Sequence, residues 1–211
     1  MKNKELEYDI LKELFNISVG KAASMLSEII NKKIILDVPD IKILSLNDKG
    51  EKLLDLLPTD LDGTLMVSSI SFKRQLTGKA NLIFPAKKMR TFINLCLNQE
   101  DANKCWDMDF TDIDFDVIKE IGNIILNSII GEIGNSLSIN LDYTLPEVKV
   151  FGRIDFEKDV LDSGYMHIFI LYITFKIDCV KIDGAVVIDL TLNSLNELKN
   201  KVGMVKNELC K

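Results

Sequence analysis

The sequence predicts an α+β fold, internally duplicated and pseudo-twofold, in which an antiparallel sheet is flanked by long helices that bear the same polar motif. Three observations carry this prediction. First, Asp9, Glu13, Asn16 and Pro39 recur as Asp116, Glu120, Asn123 and Pro146, every member displaced by 107 positions. Second, apolar residues around each triplet return at steps of three and four, the period of a helix buried on one side. Third, each helical segment is followed by β-rich runs joined by short polar turns, in the same order in both halves.

Taken in order, Ile10, Leu11, Leu14, Ile17, Ala22, Met25, Leu26, Ile29 and Ile30 define a long amphipathic helix over 5–31, closed by Asn31-Lys32-Lys33. Residues 34–38 read as a β-branched strand ending near Pro39, and 41–46 continue extended. Residues 47–62 carry Asp, Gly and Pro and read as a loop with one helical turn at 52–57. Residues 63–72 and 79–84 form a hairpin around the polar turn 74–78, and Pro85 opens a helix over 86–97. The acidic, polar segment 98–109, with Trp106 isolated in it, is the internal boundary.

The second half repeats this order. A helix spans 111–137, a strand runs from Ile139 across Pro146 to Phe151, and a polar loop reaches Gly164. Residues 165–177 and 180–190 pair around Asp178 and Cys179, and 192–202 form a closing helix. Gly184 stands where Gly78 stood, at an offset of 106, so the second copy has lost one residue. A half of about 100 residues can hardly cover its own sheet. The expected arrangement is therefore one domain, 1–211, made of two tandem repeats of about 1–107 and 108–211 that share one sheet as a covalent dimer, monomeric overall.

Composition narrows the function. A net charge of −6, with lysines scattered among carboxylates, gives no basic stripe for nucleic acid. The longest apolar run, 168–175, is far short of the roughly 20 residues of a membrane-spanning helix. The single histidine, His167, lies in that run and reads as a packing residue, which disfavours metal sites and triads built on imidazole. Cys96, Cys105, Cys179 and Cys210 show no CxxC spacing, and the opening Met1-Lys2-Asn3-Lys4-Glu5 is unlike a secretory signal, so reduced thiols in the cytoplasm are expected.

The polar motif carries the chemistry. At 100° per residue, Asp9, Glu13 and Asn16 fall on one side of their helix, as do Asp116, Glu120 and Asn123, so each triplet can act on one ligand. An ionised Glu beside apolar neighbours is costly to bury, which predicts an exposed stripe. One copy alone is what any solvated helix face looks like. Duplication adds weight: between 9 and 43, the residues repeated at the 107 offset are Asp9, Lys12, Glu13, Asn16, Ile17, Pro39 and Lys42, polar members kept while core neighbours drift. Pro39 and Pro146 read as strand or turn punctuation.

The spacing Asp-x3-Glu-x2-Asn-x22-Pro resembles the signature of the CheC, CheX and FliY phosphatases of bacterial chemotaxis, and two copies in a chain of this length resemble CheC most. Glu120-Ile121-Gly122-Asn123-Ile124 is a typical family spelling. CheX-type proteins usually carry one motif and dimerise, and FliY-type proteins carry additional domains. Two departures stand out. Phe15 occupies a position where the family commonly has Gly, and either packs inward or crowds the docking surface, which favours the second site over the first. Asn127-Ser128-Ile129-Ile130 replaces the small-residue stretch Gly20-Lys21-Ala22-Ala23 of the first copy.

The resemblance implies hydrolysis of the aspartyl phosphate of a CheY-like response regulator, within chemotaxis or related two-component signalling. An acyl phosphate has a good leaving group, the carboxylate, and the regulator is expected to bring its own Mg²⁺ and lysine, so the chain needs no cofactor or metal and supplies positioning. Asn16 and Asn123 would orient the attacking water, Glu13 and Glu120 would dock the regulator's lysine, and Asp9 and Asp116 would cap or support the stripe. The rival expectation is a binding module without catalysis, one that sequesters a phosphorylated regulator or holds the CheD deamidase. A flagellar-switch component is a third, with no extra assembly domain in this sequence.

Overall fold

The computed structural model describes residues 2–38, 40–45, 52–97, 110–165 and 167–209. In chain order these form α1 (Lys2–Ile30), β1 (Ile34–Asp37), β2 (Ile41–Ser45), α2 (Leu53–Leu56), β3 (Thr64–Arg74), β4 (Gly78–Pro85) and α3 (Ala86–Cys96). They are followed by α4 (Asp112–Ser136), β5 (Leu141–Tyr143), β6 (Glu147–Gly152), α5 (Arg153–Asp162), β7 (His167–Ile177), β8 (Val180–Leu190) and α6 (Leu192–Leu209). The expected boundary at 98–109, with Trp106 and Cys105, lies outside the described residues, as do Pro39 and Cys210.

One eight-stranded, wholly antiparallel sheet runs through both halves. Its order is β1-β7-β8-β4-β3-β5, with β2 also on β7 and β6 also on β3. The strands after each long helix therefore pair with the hairpin of the other half: Ile34 faces Ile177 and Ile41 faces Leu171, while Thr64 faces Gly152 and Phe72 faces Tyr143. At the centre β4 lies on β8, and Asn81 faces Val187, the residue 106 positions on. Two glycines make the close approach possible. A Cβ on Gly78 would meet the Asp189 carbonyl at 2.3 Å, and one on Gly184 would meet the Ile83 carbonyl at 2.4 Å. Both the glycines and the carbonyls they meet stand 106 apart.

Alternation along the strands sends residues to two apolar layers. On one side α1, α3, α4 and α6 cover Met66, Ile70, Leu82, Phe84, Phe175, Val186 and Ile188. On the other, α2 and α5 cover Leu65, Val67, Ile83, Ile170 and Val187. The motif helices α1 and α4 pack against each other, joined at the surface by the ion pair of Lys21 with Glu132. Each ends on a left-handed residue, Asn31 (φ 55°) and Ser138 (φ 53°), again 107 apart, which turns the chain back toward the sheet.

Three expectations needed correction. Residues 153–162 form α5, where a polar loop was expected. Six of its ten residues are charged, so the only signal is Phe156 and Val160, one turn apart and both buried. Arg153 holds it to α2 by donating to the Leu54 carbonyl, and also pairs with Asp62. The strand expected to run unbroken from Ile139 to Phe151 is interrupted at Thr144-Leu145-Pro146, because Pro146 has no N–H for the ladder. Thr144 secures the corner, its N–H donating to the Ser71 carbonyl and its Oγ1 accepting from the Ser71 N–H, each at 2.9 Å. The closing helix continues from the expected 202 to Leu209.

Candidate functional site

The long helices present the two stripes as the helical period requires. Asp9, Glu13, Asp116 and Glu120 are exposed, and Asn16 and Asn123 are half-buried one turn further on. Among the described residues neither Glu13 nor Glu120 makes an ion pair or a hydrogen bond, so both carboxylates remain available to a partner. Pro146 is buried at the β5–β6 corner and lines a shallow groove with Asp116, Lys119, Glu147 and Lys149, so the structure brings the first and last members of the second motif together.

The start of α4 is built to hold its stripe still. Thr111 Oγ1 accepts from the Asp114 N–H, and the Asp114 carboxylate accepts from the Thr111 N–H at 2.6 Å, a reciprocal cap. Arg90 of α3 donates to the same carboxylate at 2.7 Å and lies over the Phe110 ring. Burial pushes the Asp114 carboxyl up, but the hydrogen bonds from Thr111 and Arg90 outweigh it and hold it below the usual value. Capping therefore belongs to Thr111 and Asp114. The exposed Asp116 takes no part in it, which leaves the other of its two expected roles, support of the stripe.

The residue before each asparagine is set by the depth of the helix over the sheet. A Cβ on Gly122 would stand 2.0 Å from Ser68 Oγ and 2.5 Å from Ser68 Cβ, so α4 presses on β3 where only glycine fits. Phe15, its counterpart, is 1% exposed and packs inward with Phe72, Ile130 and Phe169. The alternative left open by the sequence is resolved: the ring fills core volume and does not crowd the stripe.

The asparagines are nevertheless held differently. Asn16 Nδ2 donates to the Lys12 carbonyl at 3.0 Å, and its Oδ1 accepts from the Val38 N–H at 3.4 Å, tying the amide to the strand segment before Pro39. Beside it the Tyr8 hydroxyl donates to Asp40 at 2.7 Å and also contacts the Ile41 carbonyl and N–H, closing α1 onto β2. Asp40 is held below the usual carboxylate range by that hydroxyl. In the second copy Phe115 replaces Tyr8 and Leu145, 84% exposed, replaces the buried Val38, and the groove beside Asp116 stays open. Asn123 Oδ1 there accepts from Asn127 Nδ2 at 2.6 Å.

Comparison with known proteins agrees with this geometry. Residues 6–43, α1 to β2 with the first motif, match the model of the CheC-like family. The CheY-P phosphatase CheC of Bacillus subtilis (strain 168) is 28% identical over 167 residues, which cover 78% of this chain and 74% of that protein. Among solved structures, Thermotoga maritima FliY superposes with a TM-score of 0.70 at 17% identity, covering 94% of this chain and 96% of the other. The FliM middle domain from H. pylori gives 0.59 at 13% identity, covering 92% and 97%. At such identities the two structures share the fold. Among the described residues no helix is long and apolar enough to cross a membrane.

Proposed function

From its similarity to the CheC-like proteins we propose that this chain is a phosphatase acting on the aspartyl phosphate of a CheY-like response regulator. The observation that carries the reading is the pairing, on an exposed helix face, of an unpaired carboxylate with an amide one turn further on, in a chain similar to a CheY-P phosphatase over most of its length. Glu120 and Glu13 dock the regulator by pairing with its active-site lysine, a charge-assisted contact that also sets orientation. Asn123 and Asn16 then reach the phosphoryl group and align a water with the phosphorus. The P–O bond to the regulator's aspartate breaks, the water oxygen bonds to phosphorus, and inorganic phosphate leaves with the regulator's carboxylate restored.

In this reading the chain supplies no nucleophile and no metal, because the regulator carries its own Mg²⁺, and catalysis rests on positioning. Asp9 and Asp116 support the stripe from one turn before the glutamates, and Pro146 lies at the β5–β6 corner beside Asp116. The tandem repeats act as one domain with pseudo-twofold symmetry in a monomer, a reading supported by the exchange of β1–β2 and β5–β6 between the halves. The protein works in the cytoplasm, where its regulator is found, and CheD is the second partner to test.

The deciding experiment incubates phosphorylated regulator with trace amounts of the chain. Many turnovers per molecule are expected, with Asn16→Ala plus Asn123→Ala removing them. Protection of the phosphoryl group, or release that scales with stoichiometry, would identify a sequestering module instead.

A further inference from the structure

We propose that Asn127 is a positioning residue for the second site: it takes up Asn123 Oδ1 and so leaves Asn123 Nδ2 facing outward as a preset hydrogen-bond donor. This rests on the phosphatase reading and deepens it for one site. The first copy has Gly20 at the corresponding position, so the device is absent there, and Asn16 instead spends both ends of its amide on backbone groups, the Lys12 carbonyl and the Val38 N–H.

The direction of the Asn123–Asn127 bond follows from what surrounds it. Asn127 Oδ1 is buried without a hydrogen-bond partner. Turning both amides over would keep one bond between them but put the Asn127 NH₂ in that buried place, exchanging an unpaired acceptor for two unpaired donors. Buried acceptors are left unpaired more readily than buried donors, so the observed direction is the favoured one. Asn123 is thereby fixed before the regulator arrives, with its oxygen engaged and its nitrogen free to point a proton at a water or a phosphoryl oxygen. Asn16 Nδ2, by contrast, already gives one of its two protons to the Lys12 carbonyl, so only the other is left for a water or a phosphoryl oxygen.

The test uses the full chain carrying Asn16→Ala, so that only the second site turns over. Asn127→Asp is isosteric but can only accept when ionised, which reverses the bond and turns Asn123 Oδ1 outward. Asn127→Leu keeps the volume and removes the bond. Docking through Glu120 is untouched, so KM should stay within about twofold while kcat falls about tenfold or more in the Asp variant and less in the Leu variant, the range a misplaced catalytic group produces. In ¹⁵N-edited spectra the Asn123 side-chain NH₂ should move to a hydrogen-bonded position in the Asp variant alone.

Wild-type kcat together with an unmoved Asn123 NH₂ signal in the Asp variant would overturn the proposal, while loss of turnover in Asn123→Ala would leave the phosphatase reading standing. If Asn123→Ala itself changes nothing, the phosphatase reading fails. The NH₂ signal then decides the orientation alone: a shift supports it and no shift overturns it.

Discussion

Ser68 on β3 and Gly122 on α4 touch so closely that the serine hydroxyl occupies the space a glycine Cβ would need, 2.0 Å away. The contact seats the second motif on the sheet, one residue before Asn123. Gly122→Ala should lift α4 and destabilise the protein by about 1–3 kcal/mol, the usual cost of overpacking. Adding Ser68→Gly should recover part of that loss. Urea unfolding of the single and double variants checks the coupling, and additive effects would refute it.

Asp189 gives the sheet centre a pH dependence. It is fully buried on β8, accepts from Asn81 Nδ2 at 3.0 Å, and has one oxygen without a partner, while Ser69 bonds the Asn81 oxygen and Lys79 pairs with Asp159 nearby. Burial pushes its carboxyl up to about 8. The folded state therefore keeps a proton that the unfolded chain gives up near pH 4, and stability should fall as pH rises from about 4 to 8 and level off above. Asp189→Asn should flatten that fall and stabilise the protein at pH 8 by a few kcal/mol, on the order of the linkage. Equal slopes of Tm against pH in the two proteins would contradict this.

Asp114 works in the opposite sense. Its folded value is lowered, so its stabilisation is present above the ordinary carboxylate range and is lost as pH falls through the lowered value. Asp114→Asn should cost about 1–3 kcal/mol at pH 7, since it removes the carboxylate charge that accepts from the Thr111 N–H and from Arg90. The gap between wild type and variant should close on acidification, which a series of denaturant titrations would follow.

Cysteine reactivity should divide by burial. The half-buried Cys96 thiol is pushed up to about 12 by desolvation, while Cys179 is exposed at the β7–β8 turn. Iodoacetamide at pH 8 should label Cys179 well before Cys96, because the thiolate is the reacting form. Peptide mass mapping over time reads the order directly.

What the sequence made legible was whatever is periodic. Helix and strand repeats located both stripes and their exposure, and the 107 offset that ties Asp9 to Asp116 and Asn16 to Asn123 also relates the left-handed Asn31 and Ser138. Two features were out of reach. Helix α5 is mostly charged and is held by Phe156, Val160 and the reach of Arg153 to Leu54, which are tertiary facts. The inequality of the sites was expected from Phe15, yet that ring is buried. The difference lies in Tyr8 and Val38, whose partners are set by strand positions that periodicity cannot supply, and in Asn127, one helical turn after Asn123, which stands where the first copy has Gly20.

The exchange of strands between the halves also has a consequence during synthesis. Asp37 on β1 reaches its cross-strand partner Lys176 across 139 intervening steps of the chain. At about 5–20 residues per second, the nascent β1 and β2 wait on the order of ten seconds before β7 leaves the ribosome. During that interval their edges are open to other chains, a hazard for any exposed strand. Neither repeat can complete its share of the sheet until the other has been made, so pairing of β1 and β2 is deferred until the second repeat has emerged.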